Sequence, residues 1–244
     1  FETMGDKMRQ PLTVYVGWDP RETDAYQVAV SSISRQAGPD VTVHPIVRNQ
    51  MLAMGFYWRP QSVRDGRLWD DISQAPMATE FALTRFLIPF LGCQTQWALF
   101  VDADVMAMDD VAKITDEADP RFALMCVKHN HRVEDGTRKM DGQVQTAYGR
   151  KNWSSVMLWN LEHPAHKRLT LEYINAARGL DLHQFAWLRD EEIGGVDQKW
   201  NYLVGHSEKS IDPAIVHFTD GVPSMKGYED CEYADIWRSW RRET

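Results

Sequence analysis

The chain has 244 residues, of which 43% are hydrophobic and 25% charged. That is enough for one large α/β domain or two small ones, with the composition of an ordinary globular protein. The formal net charge of −8 argues against a broad basic face for nucleic acid, and no run of about 18 apolar residues exists to span a membrane.

Phe1 to Gln10 lack the apolar core of a signal peptide, so residues 1–11 read as a disordered tail or an appended remnant. Cys93, Cys126 and Cys231 are few, odd in number and widely spaced. They read as reduced thiols in a cytoplasmic protein, not as a disulfide frame or a zinc site. Ten tryptophans supply packing and flat rigid surfaces that also suit sugar faces.

Leu12 to Val16 predicts a short strand that ends at Gly17-Trp18-Asp19-Pro20-Arg21-Glu22. Asp19, Pro20 and Glu22 read as a helix start, with a cap, a first-turn proline and a carboxylate three residues on. Ala25, Val28, Ala29, Ser32 and Ile33 give that helix one packing face. Val41 to Val47 is the next strand, which completes a βαβ opening. Open α/β sheets bind ligands at the carboxyl edge, where the Gly17-to-Asp19 turn falls. The turn has neither GxGxxG nor GxxxxGK[ST], so no dinucleotide fingerprint or P-loop is present.

Arg48 to Pro76 has no sustained period and predicts an irregular excursion with one short helix. From Thr79, Leu83, Phe86, Leu87 and Phe90 fall at helical spacing until Pro89 and Gly92, with Arg85 beside the apolar stripe. Trp97 to Val101 is a buried strand. It breaks into Asp102-Ala103-Asp104, whose carboxylates, two residues apart, can face one cleft. Paired carboxylates at a sheet edge repel unless a cation sits between them, and Mg²⁺ and Mn²⁺ favour such oxygen ligands together with substrate phosphates. The bland alternative is a pair of solvated turn aspartates.

Asp109 to Asp119 predicts a short helix and Phe122 to Val127 a buried strand. Lys128 to Asn152 is a polar loop with His129, His131, Arg132, Arg138, Lys139, Arg150 and Lys151, of a length that suits a lid or binding loop. A strand follows over Trp153 to Trp159, then a helix from about His163 to Ala177 and a shorter one over Leu182 to Leu188. Asp190, Glu191 and Glu192 form a dense carboxylate cluster. Asp197-Gln198-Lys199-Trp200-Asn201 opens another helix. Ala214 to Phe218 is a last strand that places His217 before the Thr219-Asp220-Gly221 turn. The segment 228–244, with Trp237 and Trp240, predicts a C-terminal helix that either covers the domain or contacts a membrane surface.

The order of these motifs is more specific than any one of them. Thr79…Arg85-Phe86-Leu87-Ile88-Pro89, then Leu99-Phe100-Val101-Asp102-Ala103-Asp104-Val105, Ser154-Ser155-Val156-Met157-Leu158-Trp159-Asn160-Leu161, Asp197-Gln198…Asn201 and Val216-His217-Phe218 together resemble glycosyltransferase family 8. That is the family of glycogenin and the lipopolysaccharide galactosyltransferases, and the resemblance spans about residues 12 to 227. It implies an α/β glycosyltransferase A fold over residues 12–244, a single Rossmann-like mixed sheet flanked by helices. It also implies sugar transfer from a nucleotide-diphosphate donor, usually a UDP-sugar, with retention of anomeric configuration and Mn²⁺ (or Mg²⁺) as cofactor. Carried over by position, Asp102, Asp104 and His217 match the metal ligands. Gly17, Trp18 and Asp19 match the seat of the base and ribose, Arg85 a donor-contacting arginine, and Ala103 the residue between the two aspartates. Asp197 and Gln198 match residues beside the reacting carbon, and Lys226 the lysine that holds the diphosphate. Two motifs depart from the family pattern: the glycine after His217 is displaced by one residue with Lys226 further out, and Trp153 and Ser155 replace the outer residues of Asn-Ser/Ala-Gly.

The resemblance further implies a glycan or lipid-linked sugar acceptor, framed by the 128–151 loop and the Trp153/Trp159 strand. It points to a cytoplasmic protein, with the inner membrane face as an alternative station through the C-terminal helix. Two other readings compete. One is a phosphohydrolase of the haloacid dehalogenase type, with Asp102 as nucleophile and Asp104 as general acid, although that class carries its motif on the first strand. The other is a silent sugar-nucleotide-binding module.

Overall fold

The structure, a computed structural model, describes residues 11–129 and 149–242. The predicted tail and the loop residues His131, Arg132, Arg138 and Lys139 lie outside the described residues. β1 (Leu12–Trp18), α1 (Thr23–Gln36) and β2 (Val41–Val47) form the expected βαβ opening, with β1 and β2 parallel from Leu12↔Val41 to Trp18↔Val47. The helix buries Ala25, Val28, Ala29, Ser32 and Ile33, the stripe its 3.6-residue repeat predicts.

The segment expected to be irregular is more ordered than that. It holds α2 (Arg48–Ala53) and a small antiparallel sheet of β3 (Gln61–Arg64), β4 (Arg67–Asp70) and β5 (Ala75–Pro76). The missed signal is Asp65-Gly66, whose φ angles of 51° and 75° are the left-handed pair that a two-residue hairpin turn requires. Arg59 fastens this sheet to the body of the protein. Its guanidinium meets Asp70 at 2.5 Å and donates to the carbonyls of Ile174 and Ala177, both at 2.7 Å.

The stretch after Thr79 forms a 3₁₀ helix over Thr84–Phe90, with Thr84 through Ile88 all buried. β6 (Trp97–Val101) and β7 (Val105–Ala107) bracket Asp102-Ala103-Asp104. β8 (Leu124–Cys126) and β9 (Val156–Asn160) follow, the latter after a 3₁₀ turn over Trp153–Ser155. The helix predicted over 163–177 is divided into a 3₁₀ turn, Pro164–Arg168, and α3 (Leu171–Ala176). The division falls at Thr170, whose side chain accepts from the Tyr173 amide and caps α3. The next helix, α4 (Gly179–His183), starts earlier than predicted. β10 (Ile193–Gly195), β11 (Tyr202–Leu203), β12 (Ile215–His217) and α5 (Ala234–Arg242) complete the chain.

The central sheet is mixed and six-stranded, in the order β10-β8-β9-β6-β1-β2. β6 runs parallel to β1 and antiparallel to β9. Side-chain alternation along β6 divides the core. Ala98 and Phe100 join the cluster on one face, and Trp97, Leu99 and Val101 join the cluster on the other. The small sheet β11-β12-β7 lies beside the end of β6. α5 packs on α1: Trp237 is 1% exposed, Arg35 stands over the Trp240 ring, and Arg241 pairs with Asp24 at 2.8 Å. The helix thus spends its tryptophans on covering the domain. No helix among the described residues is long and apolar enough to cross a membrane.

Candidate active site

Two strands bring three side chains that could hold a metal to one point. β6 is apolar and buried to Val101, so Asp102 is its first polar residue at the carboxyl edge. β12 pairs antiparallel with β7 in a register that sets His217 opposite Val105, and the Phe218 amide donates to the Asp104 carbonyl at 2.9 Å. Ligand atoms of Asp102, Asp104 and His217 consequently lie within 4.8 Å of one another, and His217 Nε2 is 3.3 Å from Asp104 Oδ1.

The hydrogen bonds around His217 fix its tautomer. Asn201 Nδ2 donates to the Asn152 carbonyl at 3.2 Å and to Ser155 Oγ at 2.9 Å. A carbonyl only accepts, so the amide nitrogen is on that side and Asn201 Oδ1 faces the imidazole. Oδ1 lies 3.0 Å from His217 Nδ1 and also only accepts. Nδ1 therefore carries a proton, and in the neutral ring the Nε2 lone pair is turned toward Asp104. A lone pair against a carboxylate is unfavourable unless a proton or cation lies between them. With Asp102 alongside, this donor set of two carboxylates and one imidazole fits a divalent cation of the Mn²⁺ or Mg²⁺ kind.

Arg85 and Glu22 frame the acidic pair. Arg85 is 6% exposed. Its Nη1 is 2.6 Å from Asp102 Oδ1, a close ion pair. The guanidinium lies over the rings of Phe81 and Phe100 and donates to the Ala82 and Ser154 carbonyls at 3.0 and 2.8 Å. Burial raises the Asp102 pKa, Arg85 opposes the rise and Asp104 adds to it. Glu22 is pushed up to about 8 by burial and then by the charges of Asp104, Asp19 and Asp102.

These groups line a cavity of about 1030 Å³, together with Asn152, Ser154, His183 and the Phe218–Tyr228 turn. Lys226 lines it. Gly17, Trp18 and Asp19 do not; the residues from Arg21 to Ala25 take their place. Asp19 is fully buried, its carboxylate held by Arg21 and the Glu80 amide, which together outweigh burial and keep its pKa low. Its structural task is to close the turn into α1. Gly17 is needed for packing, since a Cβ there would meet Phe81 at 2.3 Å. Ala103 is buried between the two aspartates.

Asp197 and Gln198 are exposed and lie outside the cavity lining. Asp197 caps the 3₁₀ turn Gln198–Asn201 by accepting from the Lys199 amide. Trp159 is 0% exposed, stacked on Trp187 in the core, so it cannot frame an acceptor. Trp153 is engaged by Lys128 and Arg150 over its ring. Two residues gained importance that sequence reading had not given them. Asn201 stood in a quoted motif without a role, and Glu22 was read only as a first-turn carboxylate.

No protein-family model matches the chain. By sequence it is similar to Protein CDI of Arabidopsis thaliana, 40% identical over 238 residues, which is 96% of this chain and 87% of that protein. By structure it is similar to the bifunctional glycosyltransferase WbbM, at 12% identity with a TM-score of 0.66 over 99% of this chain. It spans about half of the WbbM chain, 51%, and 60% of the glycosyltransferase GlyE of Streptococcus pneumoniae TIGR4, with TM-score 0.59, 12% identity and 96% of this chain covered. The galactosyltransferase LgtC, solved with donor and acceptor sugar analogs, matches at TM-score 0.57 and 12% identity over 95% of both chains. The fold is that of these glycosyltransferases.

Proposed function

Since the chain belongs to the same family as Protein CDI of Arabidopsis thaliana and has a glycosyltransferase fold, we propose that it is a metal-dependent glycosyltransferase. It takes a sugar from a nucleotide-diphosphate donor, a UDP-sugar, and passes it to a glycan or lipid-linked sugar with retention at the anomeric carbon. The observation that carries this reading is the meeting of Asp102, Asp104 and His217 in one cavity, with the His217 lone pair oriented by Asn201. Mn²⁺ held there would neutralise the donor diphosphate and stabilise it as a leaving group. Arg85 restrains Asp102 and adds positive charge on the same side. Lys226, on the cavity wall, supplies a cation for a phosphate.

Calorimetry of UDP binding, with Mn²⁺ and with a chelator, tests the proposal. Binding is expected only with the metal; equal affinity in both overturns a bridging cation. Metal-dependent hydrolysis of a UDP-sugar separates an enzyme from a silent nucleotide-binding module, and turnover of a simple phosphomonoester would instead favour the phosphohydrolase.

A further inference from the structure

Two residues on the cavity wall have no role in the metal site. Ser154, in the turn before β9, and His183, the last residue of α4, both line the cavity, and Ser154 Oγ is 2.7 Å from His183 Nδ1. The same serine's carbonyl accepts from Arg85 Nη1, which meets Asp102. The pair is therefore tied through one arginine to the first carboxylate of the acidic site. The imidazole is braced edge-on by the Phe86 ring, with centroids 5.3 Å apart.

Burial, with the nearby Arg85 charge, lowers the His183 pKa to about 3, so its ring is neutral under ordinary conditions. With Nδ1 engaged by Ser154, its remaining polar atom is Nε2, which has no partner among the described residues. A phosphate calls for charged or strongly donating groups, whereas a sugar hydroxyl both donates and accepts and is matched by neutral groups that do the same. A neutral histidine and a serine hydroxyl, rigidly coupled, form such a surface. The sugar nearest to it is the one covalently joined to the diphosphate, because that diphosphate is what the acidic site would hold.

We propose that the Ser154–His183 pair binds a hydroxyl of the donor's sugar ring and selects among donors by the configuration of that hydroxyl. This inference rests on the nucleotide-sugar reading above. Losing a neutral hydrogen bond to a ligand, with its partner left unpaired, costs about 1 to 1.8 kcal/mol, which is about 5- to 20-fold in affinity.

The test is calorimetry in Mn²⁺ with UDP, UDP-glucose and UDP-galactose on the wild-type chain and on His183→Ala, His183→Gln and Ser154→Ala. UDP affinity should stay within about twofold in every variant. The better-bound UDP-sugar should weaken by about 5- to 20-fold in His183→Ala, with the preference between the two epimers narrowed and partly restored in His183→Gln; Ser154→Ala should weaken it less. Equal weakening of UDP and UDP-sugar would overturn the inference, because it marks lost packing. Unchanged UDP-sugar binding in all three variants would overturn it as well. If the wild-type chain binds none of the three ligands, the donor reading itself fails, and the inference with it.

Discussion

Asn201 decides what His217 can do. Without its Oδ1, the imidazole is free to adopt the other tautomer, with Nε2 protonated and unable to ligate. Outer partners of metal-bound histidines are worth about 10- to 100-fold in metal affinity, and a loss in that range is expected for Asn201→Ala in a Mn²⁺ titration followed by calorimetry. His217→Ala should weaken Mn²⁺ by more, and Asp104→Ala should remove measurable binding, since it deletes a charge as well as a ligand. An Asn201→Ala variant with unchanged Mn²⁺ affinity would show that the tautomer is set elsewhere. Glu22 acts in the opposite sense. Its folded pKa of about 8 lies above the carboxyl's ordinary value, so in the metal-free protein its contribution to stability is full below about 4.5 and is lost as pH rises through 8. Glu22→Gln should therefore raise Tm at pH 8.5 and leave it nearly unchanged at pH 4.5, measured by scanning calorimetry in a chelator. The same increment at both pH values would mean the effect is not electrostatic.

At the scale of elements, apolar runs and capping residues were readable and turn chemistry was less so. β1, β2 and β6 stand where the sequence places them, because each is an apolar run closed by polar or turn residues. The α1 face follows from spacing alone. The β3–β5 sheet did not show because its strands alternate poorly, and only the Asp65-Gly66 turn betrays the hairpin. Thr84–Phe90 is 3₁₀ and buried from Thr84 through Ile88, which spacing does not report. Arg59 and Asp70 are invisible to pattern reading because charged residues default to the surface. Here both are 1% exposed and paired with each other. Breaking a buried pair from one side leaves an uncompensated charge, so Asp70→Ala is expected to cost about 3–5 kcal/mol. The double change Arg59→Met with Asp70→Leu should cost less than the single one. Urea unfolding of the variants checks this, and a cost under about 1 kcal/mol for Asp70→Ala would mean that water or a new partner reaches Arg59.

On the scale of the whole molecule, the sequence revealed the DxD strand and the late histidine, but the contact between them needed the fold. Residues 104 and 217 meet only because β7 and β12 pair antiparallel. The carry-over to Asp197 and Gln198 depended on motif position, and both residues lie off the cavity wall. The stereochemical proposal must therefore rest on what does line the cavity. Inversion needs a carboxylate base on the face of the sugar away from the leaving group, to take the acceptor's proton as it attacks. Among the described cavity-lining carboxylates, Asp70 is paired with Arg59, Asp24 with Arg241 and Asp220 with His206. Asp102 and Asp104 form the acidic site, and the charges of both raise the pKa of Glu22. Each cavity-lining carboxylate among the described residues thus has a charged partner or belongs to the acidic cluster. The proposed retention corresponds to same-face attack, with the departing phosphate helping to take the proton. The expected outcome is an α product from an α-linked donor. No acceptor need be known to check it. Proton NMR of UDP-glucose hydrolysis in Mn²⁺, read before the free sugar mutarotates, should show α-glucose first, and β-glucose as the first-formed anomer would establish inversion.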